Sequence, residues 1–265
     1  MDEPAEILGD EDKSAVKSLQ KALAVLEAVG GAQRPPRISE VAIATGISRP
    51  TAYRIVNTLI AEGYLMQEVA SGRLSVGYSM LMLAASILDT NRMRLEALPH
   101  LQSLASLTGE RTNLGIIHRN KVLYVAGVEK PSLPTIYTRF GKTAPAHCSS
   151  LGKAILAHLP ESEVSHILAQ EPLFAQTPNS IISMPRFREE LAETRRRGYA
   201  MDREEHLLNS CCVAAPIFSE GRAVGAIGIS STSDRIDPLL DQIAVLRHTA
   251  EMISHRLEVS MRGQA

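Results

Sequence analysis

Between Arg37 and Leu59 the chain spells two short helices around a three-residue break, and few folds accommodate that pattern. Ser39 is the expected cap of the first helix, and Glu40 falls in its first turn, where the helix dipole favours an acid. Val41, Ala42 and Ala44 supply a small apolar side. Thr45-Gly46-Ile47 then breaks the helix, Gly46 being free to adopt the left-handed conformation. Ser48 caps the second helix, and Pro50 sits in its first turn, where a missing N–H costs least. Ala52, Ile55, Val56, Leu59 and Ile60 recur at helical spacing and face a core. The opposite side carries Arg49, Thr51, Tyr53, Arg54 and Asn57, a polar and basic face suited to a DNA major groove.

The flanks extend this unit. A helix expected from Ser14 to Val29 precedes it and stops at Gly30-Gly31. After it, Tyr64-Leu65-Met66 and Arg73-Leu74-Ser75-Val76 flank the turn residues Ala70-Ser71-Gly72. A hairpin directly after a recognition helix is a wing, and Arg73 on it is a candidate contact to phosphate or minor groove. The chain's net charge of −1 excludes a protein coated in basic residues, but from Ser14 to Tyr78 there are seven bases against four acids. A modest local excess of that kind is what phosphate contacts require. Residues 1–13 carry six acids and no apolar periodicity, and read as a disordered acidic tail.

Residues 79–93 form a linker or dimerisation segment, whose helix from Ser79 to Asp89 is apolar on nearly every face and therefore has to be buried all round, against a partner subunit or in its own core. The second domain, 94–260, opens with a stripe of Leu95, Leu98, Leu101, Leu104 and Leu107. Strands are expected at Thr112–His118 and Lys121–Val128 around a tight Arg119-Asn120 turn, then at Thr135–Phe140. Helices follow at Leu151–Leu159, Glu161–Gln170 and Arg186–Arg197, with a proline-rich loop before the third. Cys211–Phe218 and Ala223–Ser230 are apolar strands, and a last helix carries Leu239, Ile243, Leu246, Ala250, Ile253 and Leu257. The fold class is α+β, a winged helix-turn-helix followed by an antiparallel sheet flanked by helices.

Ser149-Ser150-Leu151-Gly152 opens a helix whose first amides lack internal partners, either a plain serine cap or an anion site fit for a small carboxylate. His147, Cys148, His206, Cys211 and Cys212 show neither C-x-x-C nor H-x-x-x-H spacing, so no metal and no cofactor is expected. Glu204-Glu205-His206 suits either acid–base work or a structural or interface role, and Arg195-Arg196-Arg197 reads as a solvated helix end. Three cysteines, two of them adjacent, form no disulfide framework, and no segment reads as a signal peptide or membrane span, so the expected compartment is the cytoplasm.

Over residues 15–258 the chain resembles the IclR family of bacterial transcriptional regulators. The matching pieces in the first domain are Ser18-Leu19-Gln20-Lys21-Ala22-Leu23, Ile38-Ser39-Glu40-Val41-Ala42, Thr45-Gly46-Ile47, Tyr53-Arg54 and Gly63-Tyr64. In the second they are His147, Leu151-Gly152-Lys153-Ala154 and, most specific of all, Arg197-Gly198-Tyr199-Ala200 running on to Asp202, Glu204-Glu205-His206 and Cys212-Val213-Ala214-Ala215-Pro216. The resemblance implies a winged helix-turn-helix, a linker helix and a GAF-like effector domain. It further implies a homodimer or dimer of dimers that binds operator DNA and represses or activates a catabolic operon, repression being the expected sign. Carried over position by position, the effector pocket comprises Leu133, Ile136, Ser150, Leu151, Asp202, Ser210, Cys212, Gly228 and Ser230. Ser150, Ser210 and Gly228 depart from the family's common choices and alter pocket size and polarity. The expected effector is a small organic acid with a further donor for Asp202. The rival reading is an enzyme of small organic acids working through His147, Cys212 and His206.

Overall fold

Helix α1 (Lys17–Gly30) turns Val25 and Val29 into the core of the first unit, where they meet Val41, Ala52, Val56, Leu65 and Leu74. The computed structural model describes residues 16–129 and 140–262, and the chain divides into two compact units between Asp89 and Thr90. The acidic tail, Ser14, Leu133, Ile136 and the strand expected at 135–140, save Phe140, lie outside the described residues; Phe140 sits in a turn.

Helix α2 (Ile38–Thr45) does not start at Ser39. Arg37 is its cap, and Glu40 reaches back so that its Oε2 accepts the Arg37 backbone N–H at 2.6 Å. A carboxylate three positions on makes a charge-assisted bond that a serine hydroxyl inside the first turn cannot. Gly46 ends α2 at φ 67°, the left-handed conformation a side chain would strain. Helix α3 (Arg49–Ala61) follows, with Pro50 in its first turn, and strands β1 (Leu65–Gln67) and β2 (Leu74–Val76) pair antiparallel as a hairpin.

Helix α4 (Tyr78–Thr90) does not enter a core of its own chain, which rules out that one of the two alternatives for the apolar helix. None of its residues is buried, and Tyr78, Leu81, Met82 and Ile87 stand in the open.

In the second unit α5 (Arg92–Thr108) is capped by Asn91, whose Oδ1 accepts the Arg94 N–H at 2.9 Å. Its leucine stripe is only half internal: Leu101 and Leu104 are buried, while Leu95 and Leu107 are exposed. A strict spacing of three drifts about 60° per step around a helix of 3.6 residues per turn, so the two ends of the row leave the core. Strands β3 (Arg111–His118) and β4 (Lys121–Val128) form the hairpin, with Arg119 and Asn120 both at positive φ, as a tight primed turn demands. Strand β5 (Thr143–Pro145) pairs with β4. Helices α6 (Ser150–Leu156), α7 (Glu161–Gln170) and α8 (Met184–Arg197) follow. Pro185 belongs to the first turn of α8, not to the loop before it.

Strands β6 (Ala200–Arg203), β7 (Ser210–Ser219) and β8 (Arg222–Thr232) complete an antiparallel sheet in the order β5-β4-β3-β8-β7-β6. Leu239 belongs to a separate short helix, α9 (Ile236–Leu240), ahead of α10 (Ile243–Arg262). One face of the sheet packs Leu151, Ile155, Phe187 and Leu191 from α6 and α8; the other packs Leu101, Leu104, Leu246 and Ile253 from α5 and α10. Successive β7 residues Val213 and Ala214 fall on opposite faces, as the period of two requires. In the triple arginine at the end of α8, Arg195 and Arg196 are exposed, as expected of a solvated helix end, and Arg197 is half-buried; all three also make bonds within the domain. Arg195 Nε donates to the Ala157 carbonyl at 2.5 Å, Arg197 bonds Glu190 and the Tyr199 carbonyl, and Arg196 pairs with Glu193.

Candidate functional site

In the first unit, buried Ala52 and Val56 set the rotation of α3, and that rotation leaves Arg49, Pro50, Tyr53, Arg54 and Asn57 exposed on one side. Ser48 precedes them, but its hydroxyl donates to Thr51 Oγ1 at 2.9 Å instead of capping a backbone amide. Arg73 has a structural duty at the base of the wing. Its Nη1 donates to the Pro35 carbonyl at 2.6 Å and lies 3.9 Å from Glu40 Oε2, while Leu74 N–H bonds the Pro36 carbonyl. The guanidinium therefore ties the hairpin to the connector before α2.

In the second unit, strand register gathers the candidate pocket. Asp202 on β6 lies opposite Cys212 on β7, and Cys212 lies opposite Ser230 on β8. Gly228, two residues before Ser230, lies opposite Asn113 of β3. Residues two apart share a face, so one row of polar and small side chains crosses the strands. The start of α6 covers this row. A Cβ on Gly228 would come within 3.0 Å of the Val213 carbonyl and 3.3 Å of Leu151 Cδ2, so its absence lets the helix approach. Ser149, Ser150, Leu151, Asp202, Ser210, Cys212, Gly228 and Ser230 all line one cavity, whose interior of about 10 Å³ has room for roughly one water.

Asn113, Tyr124 and His206 also line it, and the sequence reading did not place them there. Asn113 Nδ2 donates to Ser230 Oγ at 3.3 Å. Only the adjacency of β3 and β8 brings Asn113 in, and those strands are more than a hundred residues apart in the chain. Gly152 does not line the cavity: a Cβ there would stand 2.1 Å from the Ala146 carbonyl oxygen, so this glycine serves close packing. The anion cradle expected at this helix start is also narrower than supposed. Helix α6 has seven residues, and Ser149 Oγ already accepts the Gly152 N–H at 3.1 Å.

Asp202 is the cavity's principal ionisable group. Burial pushes its carboxyl up to about 7, helped by the charge of Glu205, against the pull of the Glu205 and His206 backbone amides and of Lys153. Those amides donate to Oδ1 at 2.8 and 3.3 Å. The turn that carries them is pinned from outside. Ser180 Oγ donates to the Glu205 carbonyl at 2.6 Å, and the fully buried Lys153 Nζ lies 2.5 Å from Glu205 Oε1 and 3.3 Å from Glu190 Oε1. Burial raises Glu205 while Lys153 lowers it, and the net direction is up.

Two family models cover this architecture: the IclR helix-turn-helix domain matches residues 18–68, and the C-terminal domain of bacterial transcriptional regulator IclR matches residues 85–255. The chain belongs to the IclR family. It is a DNA-binding transcriptional regulator with a helix-turn-helix and an effector domain. Among its relatives, the glycerol operon regulatory protein of Streptomyces coelicolor is 32% identical over 91% of this chain and 96% of that protein. The transcriptional repressor IclR of Escherichia coli is 31% identical over 83% of this chain and 82% of that protein. The crystal structure of an IclR transcriptional regulator from Alicyclobacillus acidocaldarius superposes with a TM-score of 0.81 at 26% identity, covering 92% of this chain and 99% of that one.

The relatives are regulators, and the enzyme reading of His147, Cys212 and His206 does not survive the geometry. His147 lies outside the cavity, with Nε2 2.9 Å from the Phe174 carbonyl and its ring edge-on to Phe174. Among the described residues no group of three or more His, Cys, Asp or Glu is arranged to hold a metal ion, and no helix is long and apolar enough to cross a membrane.

Proposed function

We propose that this IclR-family regulator is a repressor of a catabolic operon, released by a small organic acid that carries a further hydroxyl or amide group. The observation that carries the reading is the cavity lining of four serines, Asn113, His206 and a buried Asp202 that is partly protonated near neutral pH. A protonated carboxyl donates a hydrogen bond to a ligand carboxylate that its ionised form would repel. Backbone amides occupy Oδ1, so a ligand meets the other oxygen. The named repressor among the relatives supports the sign of regulation. Because the cavity holds about one water, the effector binds by displacing the side chains around it, and that displacement is the signal the domain generates.

A neutral polyol is the second reading. Among the described residues no Lys or Arg lines the cavity, and one relative is named for a glycerol operon. Calorimetric titration with hydroxylated aliphatic acids, hydroxylated aromatic acids and polyols separates the two. Heat from polyols alone overturns the acid.

On the output side, Ser48, Arg49, Pro50, Thr51, Tyr53, Arg54 and Asn57 form the DNA-facing edge of α3, and the exposed apolar side chains of α4 pair with the same helix of a second copy. Arg49→Ala lowers operator affinity by about 1–3 kcal/mol if it reads a guanine, measured by gel-shift titration; unchanged affinity and sequence preference removes it from the site.

A further inference from the structure

The groove between α1 and α3 has a floor of Leu19, Ala22, Ile55 and Leu59 and a volume of about 520 Å³, with Lys21 and Arg54 on its rim. Leu19 is 58% exposed, and neither cation has an ion-pair partner among the described residues. The groove begins at Ser18. Just before that point lies a segment of opposite character, with Asp2, Glu3, Glu6, Asp10, Glu11 and Asp12 around the adjacent apolar pair Ile7-Leu8. Charge and apolar content thus match on the two sides, and the covalent tether makes the local concentration high. The eight Cα–Cα steps from Leu8 to Val16 span up to about 28 Å extended, several times the roughly 6 Å of helix between Ser18 and Ala22.

We propose that residues 2–12 fold back into this groove, Ile7 and Leu8 on its floor and the acids against Lys21 and Arg54, and so compete with DNA phosphates for the same cations. The competition rests on the reading of α3 as the DNA-contacting helix; the docking does not. Its consequence is selective. Non-specific binding is almost wholly electrostatic and yields to such a competitor, whereas an operator adds base contacts that displace it. The tail therefore raises the specificity ratio of the regulator without touching a base.

The test uses the full chain, a chain lacking residues 2–12, and a full chain with the six acids changed to Asn or Gln. Anisotropy with a random-sequence duplex is recorded over a salt series. Freeing two cations steepens the slope of log affinity against log salt by about 2, so both altered chains gain roughly tenfold more affinity than the intact one between 200 and 50 mM salt. A DNA-free arm reports docking directly: with Leu8→Cys, disulfide trapping is faster to Thr58→Cys in the groove than to Gln20→Cys, an exposed position on α1 outside it. Equal trapping rates overturn the proposal, as does Leu19→Ser altering the oligomeric state by light scattering, which would assign the groove to a second copy. Preferential trapping with DNA affinity indifferent to both the tail and Arg54→Gln overturns the competition by removing α3 from the DNA interface.

Discussion

Replacing Asp202 with Asn separates the charge of the buried carboxyl from its hydrogen bonds, because an amide oxygen in the Oδ1 position still accepts the Glu205 and His206 N–H groups. Asp202 is 3% exposed, and burial raises it from 3.8 to about 7. Above the lower value the unfolded chain has released this proton while the folded chain retains it. The folded state therefore binds more protons across the window, and stability falls as pH rises through it. The contribution is fully present below pH 3.8 and lost above about 7. A gap of about three pH units sets an upper bound of about 4 kcal/mol, and relaxation around the ionised group brings the expected change to roughly 1–3 kcal/mol. Urea unfolding of the parent and of Asp202→Asn at a series of pH values between these limits measures it. The variant gains on the parent as pH rises, and acid-effector affinity of the parent weakens through the same range while that of the variant stays flat. A stability difference independent of pH refutes the account of Asp202 as a buried, proton-holding group.

Lys153→Met leaves the buried Glu205 without its cation and Glu190 with Arg197 alone, and costs about 3–5 kcal/mol by denaturant titration; adding Glu205→Gln recovers part of it, and no recovery removes the pair from the explanation. Gly152→Ala drives a methyl toward the Ala146 carbonyl and destabilises by about 1–3 kcal/mol, so a variant melting with the parent contradicts the packing role. Burial pushes Cys148 up to about 12 and Cys211 to about 11, whereas Cys212 is half-buried in the cavity lining. A thiol reagent therefore modifies Cys212 first in the folded chain, and a bound effector slows that reaction; equal rates at the three thiols contradict it.

Features written in short-range chemistry were legible in advance. Gly46 ending α2, Pro50 in the first turn of α3, the Arg119-Asn120 turn and the apolar runs of β7 and β8 each depend on residues within a few positions of one another. Errors arose where a local rule met competition. Glu40 outbid Ser39 for the first amide of α2, and strict three-residue spacing carried Leu95 and Leu107 off the core. The four-residue β6 was too short to show a pattern, although it carries Asp202. Most pocket positions were reached through the resemblance; Asn113 and Tyr124 were not, because nothing in their own segments marks them.

For the helix-turn-helix, the sequence alone determined the exposed face of α3, since the same apolar spacing that fills the core rotates Arg49, Tyr53, Arg54 and Asn57 outward. It also determined that the chain holds an antiparallel hairpin and a basic first unit. What only the tertiary structure decided was which side chains meet. The insertion of β3 beside β8, the register that lines up Asp202, Cys212 and Ser230, and the bond from Arg73 to the Pro35 carbonyl are all contacts between distant segments. Such contacts are chosen by the joint packing of two sheet faces, and no single segment carries the energy that selects them.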